Sequence, residues 1–203
     1  GRHPMTPSKL TTTIELREHL RNTADPRARI GLTNGCFDVL HPGHIWALQQ
    51  ASRRCNPLIV CLNSNWSILQ LKGPGRPIHG QNARAYQLSA LQCVDHVVIF
   101  NALDCHQEIL ILRPDIYFKS EEYEDHQNPD EALALKEVGA TIHWTPRLPG
   151  YSTTACLRRP GERVPPNPPS LEDTRPDSLG DHSPPSTPDA LAIAEAAMSV
   201  CQL

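Results

Sequence analysis

The chain has 203 residues, with 19 Lys and Arg against 22 Asp and Glu and a hydrophobic fraction of 39%. That length holds one α/β domain with a sizeable core and leaves little room for a second of similar size. A formal charge of -3 excludes a broad basic field for wrapping nucleic acid. No apolar run is long enough to span a bilayer, and the amino terminus lacks the apolar core of a secretion signal.

A cytoplasmic protein is therefore expected, with neither nucleic acid nor membrane as partner. Residues 1–8 read as a tag remnant or a disordered terminus, because Gly1 to Pro4 precede Met5. In chain order, Thr12 to Glu15 fit a capping box, and Ile14, Leu16 and Leu20 give the helix that follows a modest apolar face up to Asp25-Pro26. Strands are expected over 30–33, 58–62, 97–100, 116–119 and 141–145. Helices are expected over about 44–53, 83–91, 105–112 and 129–138. Short continuous apolar strands alternating with helices predict an α/β domain, a parallel sheet covered on both faces, over 9–159. Its ligands should bind at the carboxyl ends of the strands.

After Arg159 the composition changes. Nine of the chain's 20 prolines fall between Pro160 and Pro188, which makes 160–188 a Pro-rich linker or disordered tail. Thr187-Pro188-Asp189 can cap a short apolar helix over 189–203, and the tail is a candidate contact for a protein partner. The seven cysteines, Cys36, Cys55, Cys61, Cys93, Cys105, Cys156 and Cys201, are scattered without zinc-knuckle or redox spacing. Free thiols and no protein-borne metal site are expected.

The most informative stretch is TNGCFDVLHPGH, residues 33–44, which follows the first core strand. A helix entered from a strand's carboxyl end presents free N–H groups and positive polarity to the crevice, so an anion belongs there. Gly35 lets backbone approach closely, Pro42 suits an early helical position, and Gly43 leaves room beside the imidazoles. His41 and His44 are three residues apart and share one helix face. They can stabilise charge on a phosphoryl oxygen, or they can cap the helix or bind a metal. Further cations and hydroxyls lie in loops after later strands: Lys72 and Arg76 in LKGPGRP, Arg84, Lys119, and Ser152-Thr153-Thr154. Gathered at strand ends, they would neutralise a triphosphate.

On these residues, 31–159 resembles the cytidylyltransferase-like nucleotidyltransferase superfamily. Gly35, Phe37, Asp38, His41, Gly43 and His44 match its GxFDxxHxGH signature, and Ser152 to Thr154 match its late STT. TNGCFDVLHPGH, LKGPGRP, the VDHVV segment and GYSTT are most similar to the adenylyltransferase domain of bacterial ADP-heptose synthase. The resemblance implies a Rossmann-like fold in which a substrate phosphate attacks the α-phosphorus of a nucleoside triphosphate, releasing pyrophosphate with Mg2+ assisting.

It implies catalytic roles for His41, His44 and Lys72. Nucleotide contacts would come from Thr33, Asn34, Gly35, Phe37, Asp38, Gly43, Arg76, Arg84, Ser152, Thr153 and Thr154. Lys119 and Tyr123 would face the second substrate, and a homodimer is implied. The partners are then ATP, or CTP, and a small phosphorylated substrate. Several features depart from that branch: Lys119-Ser120-Glu121-Glu122-Tyr123 replaces Lys-Gly-Gly-Asp-Tyr, Asn65-Trp66 stands where Asp-Ala is usual, His79-Gly80 replaces Asn-Pro, and Ala83 replaces the acidic residue before Arg84. The expected reaction is transfer of AMP from ATP to a sugar phosphate or related small phosphate. The alternatives are a cytidylyltransferase for a polyol or amino-alcohol phosphate such as glycerol 3-phosphate, or a catalytically weak nucleotide-binding scaffold. A class I aminoacyl-tRNA synthetase fits poorly without a basic surface.

Overall fold

The structure, a computed structural model, describes residues 9–23, 25 and 28–151. The terminus 1–8, the triplet Ser152 to Thr154, the Pro-rich segment 160–188 and the expected helix 189–203 lie outside the described residues.

Six strands form one sheet: β1 (Leu10–Thr11), β2 (Gly31–Gly35), β3 (Leu58–Asn63), β4 (His96–Phe100), β5 (Ile116–Ser120) and β6 (Thr141–Thr145). Their order is β1-β4-β3-β2-β5-β6 and every pairing is parallel. The helices are α1 (Thr13–Thr23), α2 (Pro42–Ser52), α3 (Asn65–Lys72), α4 (Gln81–Ser89), α5 (His106–Leu112) and α6 (Pro129–Val138). Every residue of β3 is buried, as a strand covered on both faces requires. Its side chains alternate between two cores. Ile59 and Cys61 pack with Leu16 of α1, Ile109 of α5 and Leu135 of α6. Leu58, Val60 and Leu62 pack with Leu48 of α2 and Leu88 of α4. The expected Rossmann-like sheet with helices on both faces is what forms.

From β2 the chain builds outward through β3 and β4, then crosses back to lay β5 against the other side of β2. The order reverses there, and the carboxyl ends of β2 and β5 open the crevice in which such sheets bind ligands.

The capping box of α1 is present: Glu15 N–H donates to Thr12 Oγ1 at 3.2 Å and Thr12 N–H to Glu15 Oε2 at 3.3 Å. Two elements are additional to those the periodicity predicts. Edge strand β1 is two residues long, and Lys9 ties it down by donating from Nζ to the carbonyls of Leu91 and Val94. Helix α3 starts directly after β3, capped by Ser64, whose Oγ accepts from Ser67 N–H at 3.1 Å. Its eight residues are too few for a helical period to stand out.

One cysteine corrects the expectation of free thiols. Cys36 is disulfide-bonded, whereas Cys55, Cys61, Cys93 and Cys105 are free. The fold can join cysteines that no local spacing pairs.

Candidate active site

The loop from β2 to α2 builds the centre of the site. Phe37 takes a left-handed backbone, φ 44, uncommon for an aromatic residue. Its buried ring then lies 5.1 Å from that of His44, centroid to centroid. His41 is the N-cap of α2 in extended conformation with Pro42 at the first helical position, so the two histidines lie one turn apart on the helix entrance. Their rings stack at 3.7 Å and 24°, and both are buried, 7% and 2% exposed. A Cβ added at Gly43 would stand 3.0 Å from the His41 ring and 3.3 Å from Cβ of Tyr151. Only a bare backbone lets His41 fold back over the helix start.

His41 N–H donates to His44 Nδ1 at 3.3 Å. That assigns the acceptor role to Nδ1 and leaves the proton of the neutral ring on Nε2, which makes His44 a donor at its far edge. Among the described residues neither ring nitrogen of His41 has a hydrogen-bond partner. A buried imidazole in that state is poised for a ligand.

Burial, helped by the Arg147 guanidinium, pushes the His41 pKa down to about 4 from the usual 6.5. His41 would then act as a neutral ring rather than as an imidazolium ion. Between pH 6.5 and 4 the unfolded chain takes up a proton at His41 that the folded chain refuses. Stability should therefore fall as pH drops through that window, by at most about 3 kcal/mol, and be insensitive to this group above it. Urea unfolding of wild type and His41→Gln at pH 7 and pH 4.5 should show a shallower acid loss in the variant. An unchanged loss contradicts the assignment.

A second group of charges braces the same loop. Asp38 is buried and accepts from Arg76 at 2.6 Å, from Ile78 N–H at 2.7 Å and from His79 N–H at 3.1 Å. Burial alone would raise its pKa, but the Arg76 contact and the backbone donors outweigh it and hold the carboxyl below its usual value. Asp38 thus fastens the LKGPGRP loop onto the helix-entry loop. Arg84 is 0% exposed, and its guanidinium donates to the carbonyls of Cys36, Asn63 and His79 at 2.7–2.8 Å and to Asn65 Oδ1 at 3.1 Å. Both side chains point their polar atoms at the protein. Burial, with Arg76 and Arg84 close by, draws the Lys72 ammonium down to about 8. Lys72, Arg76 and Arg84 surround Asp38 and do not line the cleft that holds the histidines.

That cleft, about 410 Å3, is lined by His41, Gly43, His44, Ser120, Glu122 and Arg147, among others. A small, almost wholly apolar inner cavity adjoins it, with room for about one water, lined by Thr33, Phe37, His44, Lys119 and Ser120. His44 and Ser120 border both. The structure thus brings together the histidine pair from α2 and Lys119-Ser120 from the end of β5. Ser120 Oγ is buried with no partner among the described residues. Across the cleft Arg147 pairs with Glu122 at 2.7 Å, and its N–H donates to Glu121 Oε1 at 3.2 Å. The acidic residues that replace glycine and aspartate in the sequence comparison therefore hold the wall that carries Arg147.

Lys119 Nζ lies 2.8 Å from Glu131 Oε2 and 5.7 Å from the ring centroids of both Tyr117 and Tyr123. Asn34 directs its amide away from the inner cavity, to Glu131 at 3.1 Å. Trp66 is 48% exposed and lines neither cavity, so the indole leaves the crevice unchanged. Sequence reasoning passed over Arg147 and Glu131. Arg147 had a signal, a cation five residues before Ser152; Glu131 read as an ordinary acidic residue in a helix's first turn.

A parallel sheet whose switch point carries two stacked imidazoles at a helix entrance defines a nucleotidyltransferase-type domain. The chain belongs to the cytidylyltransferase-like family, whose profile matches residues 32–159. It is 44% identical over 131 residues to the bifunctional protein HldE of Hyphomonas neptunium, covering 64% of this chain and 27% of that protein. It is 40% identical over 153 residues to the protein of the same name from Nitrobacter hamburgensis, covering 75% and 31%. The chain therefore spans less than a third of the length of these relatives. Among solved structures, the lipopolysaccharide core biosynthesis protein of Thermoplasma volcanium aligns at 25% identity with a TM-score of 0.48, covering 59% of this chain and 96% of that one.

Proposed function

We propose that this domain transfers AMP from ATP to the phosphate of a small acceptor of the sugar-phosphate class and releases pyrophosphate. The observation that carries this reading is the stacked pair His41–His44, sharing one cleft with Ser120 and Arg147 and adjoining Lys119. An acceptor phosphate oxygen bonds to the α-phosphorus as the bond from that phosphorus to the oxygen bridging to the β-phosphorus breaks. The electron pair leaves with pyrophosphate. Two ring donors held at the helix entrance suit the charge that builds on the α-phosphoryl oxygens, and catalysis of this kind needs positioning and electrostatics rather than a covalent intermediate. Lys72 and Arg76 supply positive potential, while Asp38 and Arg84 hold the loops that carry these groups. Ser152, Thr153 and Thr154 complete the phosphate contacts, and Lys119 with Tyr123 marks the acceptor side.

The reading includes Mg2+. Among the described residues no group of three His, Cys, Asp or Glu lies together as metal ligands would. When bound, the ion would neutralise phosphate charge. A homodimer in the cytoplasm belongs to the same reading. No helix among the described residues is long and apolar enough to cross a membrane, and the exposed Trp66 and Leu69, a turn apart on α3, offer a partner copy an apolar surface.

Pyrophosphate release from ATP, CTP, GTP and UTP should be measured against glucose 1-phosphate, a heptose 1-phosphate, glycerol 3-phosphate and phosphocholine. Turnover of ATP with a sugar phosphate is expected. Turnover confined to CTP with glycerol 3-phosphate or phosphocholine, or none with any pair, overturns the reading.

A further inference from the structure

Glu131 lies in the first turn of α6, and its backbone N–H is one of two that donate to the N-cap Asn128. Its carboxylate is 2% exposed and is surrounded by donors from three other parts of the fold. Oε1 accepts from Asn34 Nδ2 at 3.1 Å and from Cys105 N–H at 3.0 Å. Oε2 accepts from Lys119 Nζ at 2.8 Å and lies 3.0 Å from the Tyr117 hydroxyl, which can instead donate to Asn34 Oδ1 at 2.7 Å. Asn34 stands near the end of β2 and Lys119 near the end of β5, neighbouring strands in register at Thr33 and Phe118. One carboxylate therefore binds both strands at the point where the sheet order reverses.

The donor pattern requires a carboxylate. Glutamine would keep one acceptor oxygen and turn an NH2 toward groups that donate. Isolated burial of such a charge is costly, so the Lys119 ammonium and the carboxylate stabilise each other only as a pair with fixed geometry. The faces of Tyr117 and Tyr123 complete the enclosure of Lys119. With one proton of Nζ on Glu131, the ammonium still has two donors to offer, and Lys119 lines the inner cavity beside His44 and Ser120. Among the described residues Nζ donates to no acceptor besides Glu131.

We propose that Glu131 is a positioning residue for the transfer reaction, fixing the Lys119 ammonium at the end of β5, beside Ser120 of the histidine cleft, so that it meets the acceptor phosphate. The proposal rests on the nucleotidyl-transfer reading above. Glu131 touches neither substrate; it acts through Lys119.

The test is a double-mutant cycle on the full chain, with Glu131→Gln, Lys119→Met and the double variant assayed for pyrophosphate release with the best acceptor of the panel above. Glu131→Gln should raise KM for the acceptor about tenfold or more, as loss of one contact to a charged group does, with KM for ATP changed by less than about threefold. Asn34 keeps its bond to Tyr117 and so still shapes the nucleotide side. In the Lys119→Met background, Glu131→Gln should have no further effect on acceptor KM, since the residue it positions is gone. Additive effects in an active enzyme overturn the inference while leaving the transfer reading intact. A wild type without turnover overturns both. If Glu131→Gln does not fold, Glu131→Asp, which keeps the charge on a shorter stem, enters the same cycle. Failure of both to fold overturns the proposal, because the carboxylate would then serve the fold rather than Lys119.

Discussion

Replacing His44 by alanine is expected to lower kcat for pyrophosphate release by about 10²–10³-fold, the usual consequence of deleting one pre-aimed donor from a charge-stabilising site. The ring is 2% exposed, accepts from His41 N–H through Nδ1, and borders both the outer cleft and the inner cavity. Among the described residues no other side chain has that placement together with a donor fixed by its tautomer. Alanine also removes the ring stacked on His41 and packed against Phe37, so thermal unfolding should be read in parallel. His44→Asn keeps a donor and much of the packing, and should recover part of the loss. A His44→Ala enzyme within about threefold of wild type, well short of a single-donor effect, contradicts the assigned role.

Arg84→Met should be the most destabilising substitution near the site, by about 3–5 kcal/mol in urea unfolding. The guanidinium bridges the carbonyls of Cys36, Asn63 and His79 and the side chain of Asn65. It thereby joins the ends of β2 and β3 to the entry of α4. Methionine fills similar volume but leaves those buried acceptors without donors, each at a cost comparable to a lost hydrogen bond. Lysine should not rescue it, because a single ammonium cannot reproduce the planar fork. A loss below about 1 kcal/mol, the worth of one ordinary hydrogen bond, would show that water replaces the lost donors and that Arg84 does not brace the loops.

What sequence periodicity showed and what it hid have separate physical causes. The strand over 58–62 was legible because burial on both faces demands an unbroken apolar run, and the α1 cap because its two reciprocal bonds need Thr and Glu at a fixed spacing. The placement of His41 and His44 followed from local geometry, a helix start three residues long. Arg84 was a different case. A cation beside a phosphate loop predicts a phosphate contact, yet its donors go to carbonyls brought near by strands distant in sequence. The Lys119–Glu131 and Arg147–Glu122 pairs likewise join β5 and the turn after it to residues beyond, with no periodic signature. The short α3 and β1 were missed because neither spans a full window of the pattern that would reveal it.

Calorimetric titration of wild type and the His41→Leu, His44→Leu double variant, which lacks both ring donors, with ATP and with AMP tests most directly whether the paired imidazoles grip the polyphosphate. Wild type should bind ATP more tightly than AMP, and the variant should lose most of that difference while its AMP affinity changes little. An unchanged ATP-to-AMP affinity ratio in a folded variant would contradict the account.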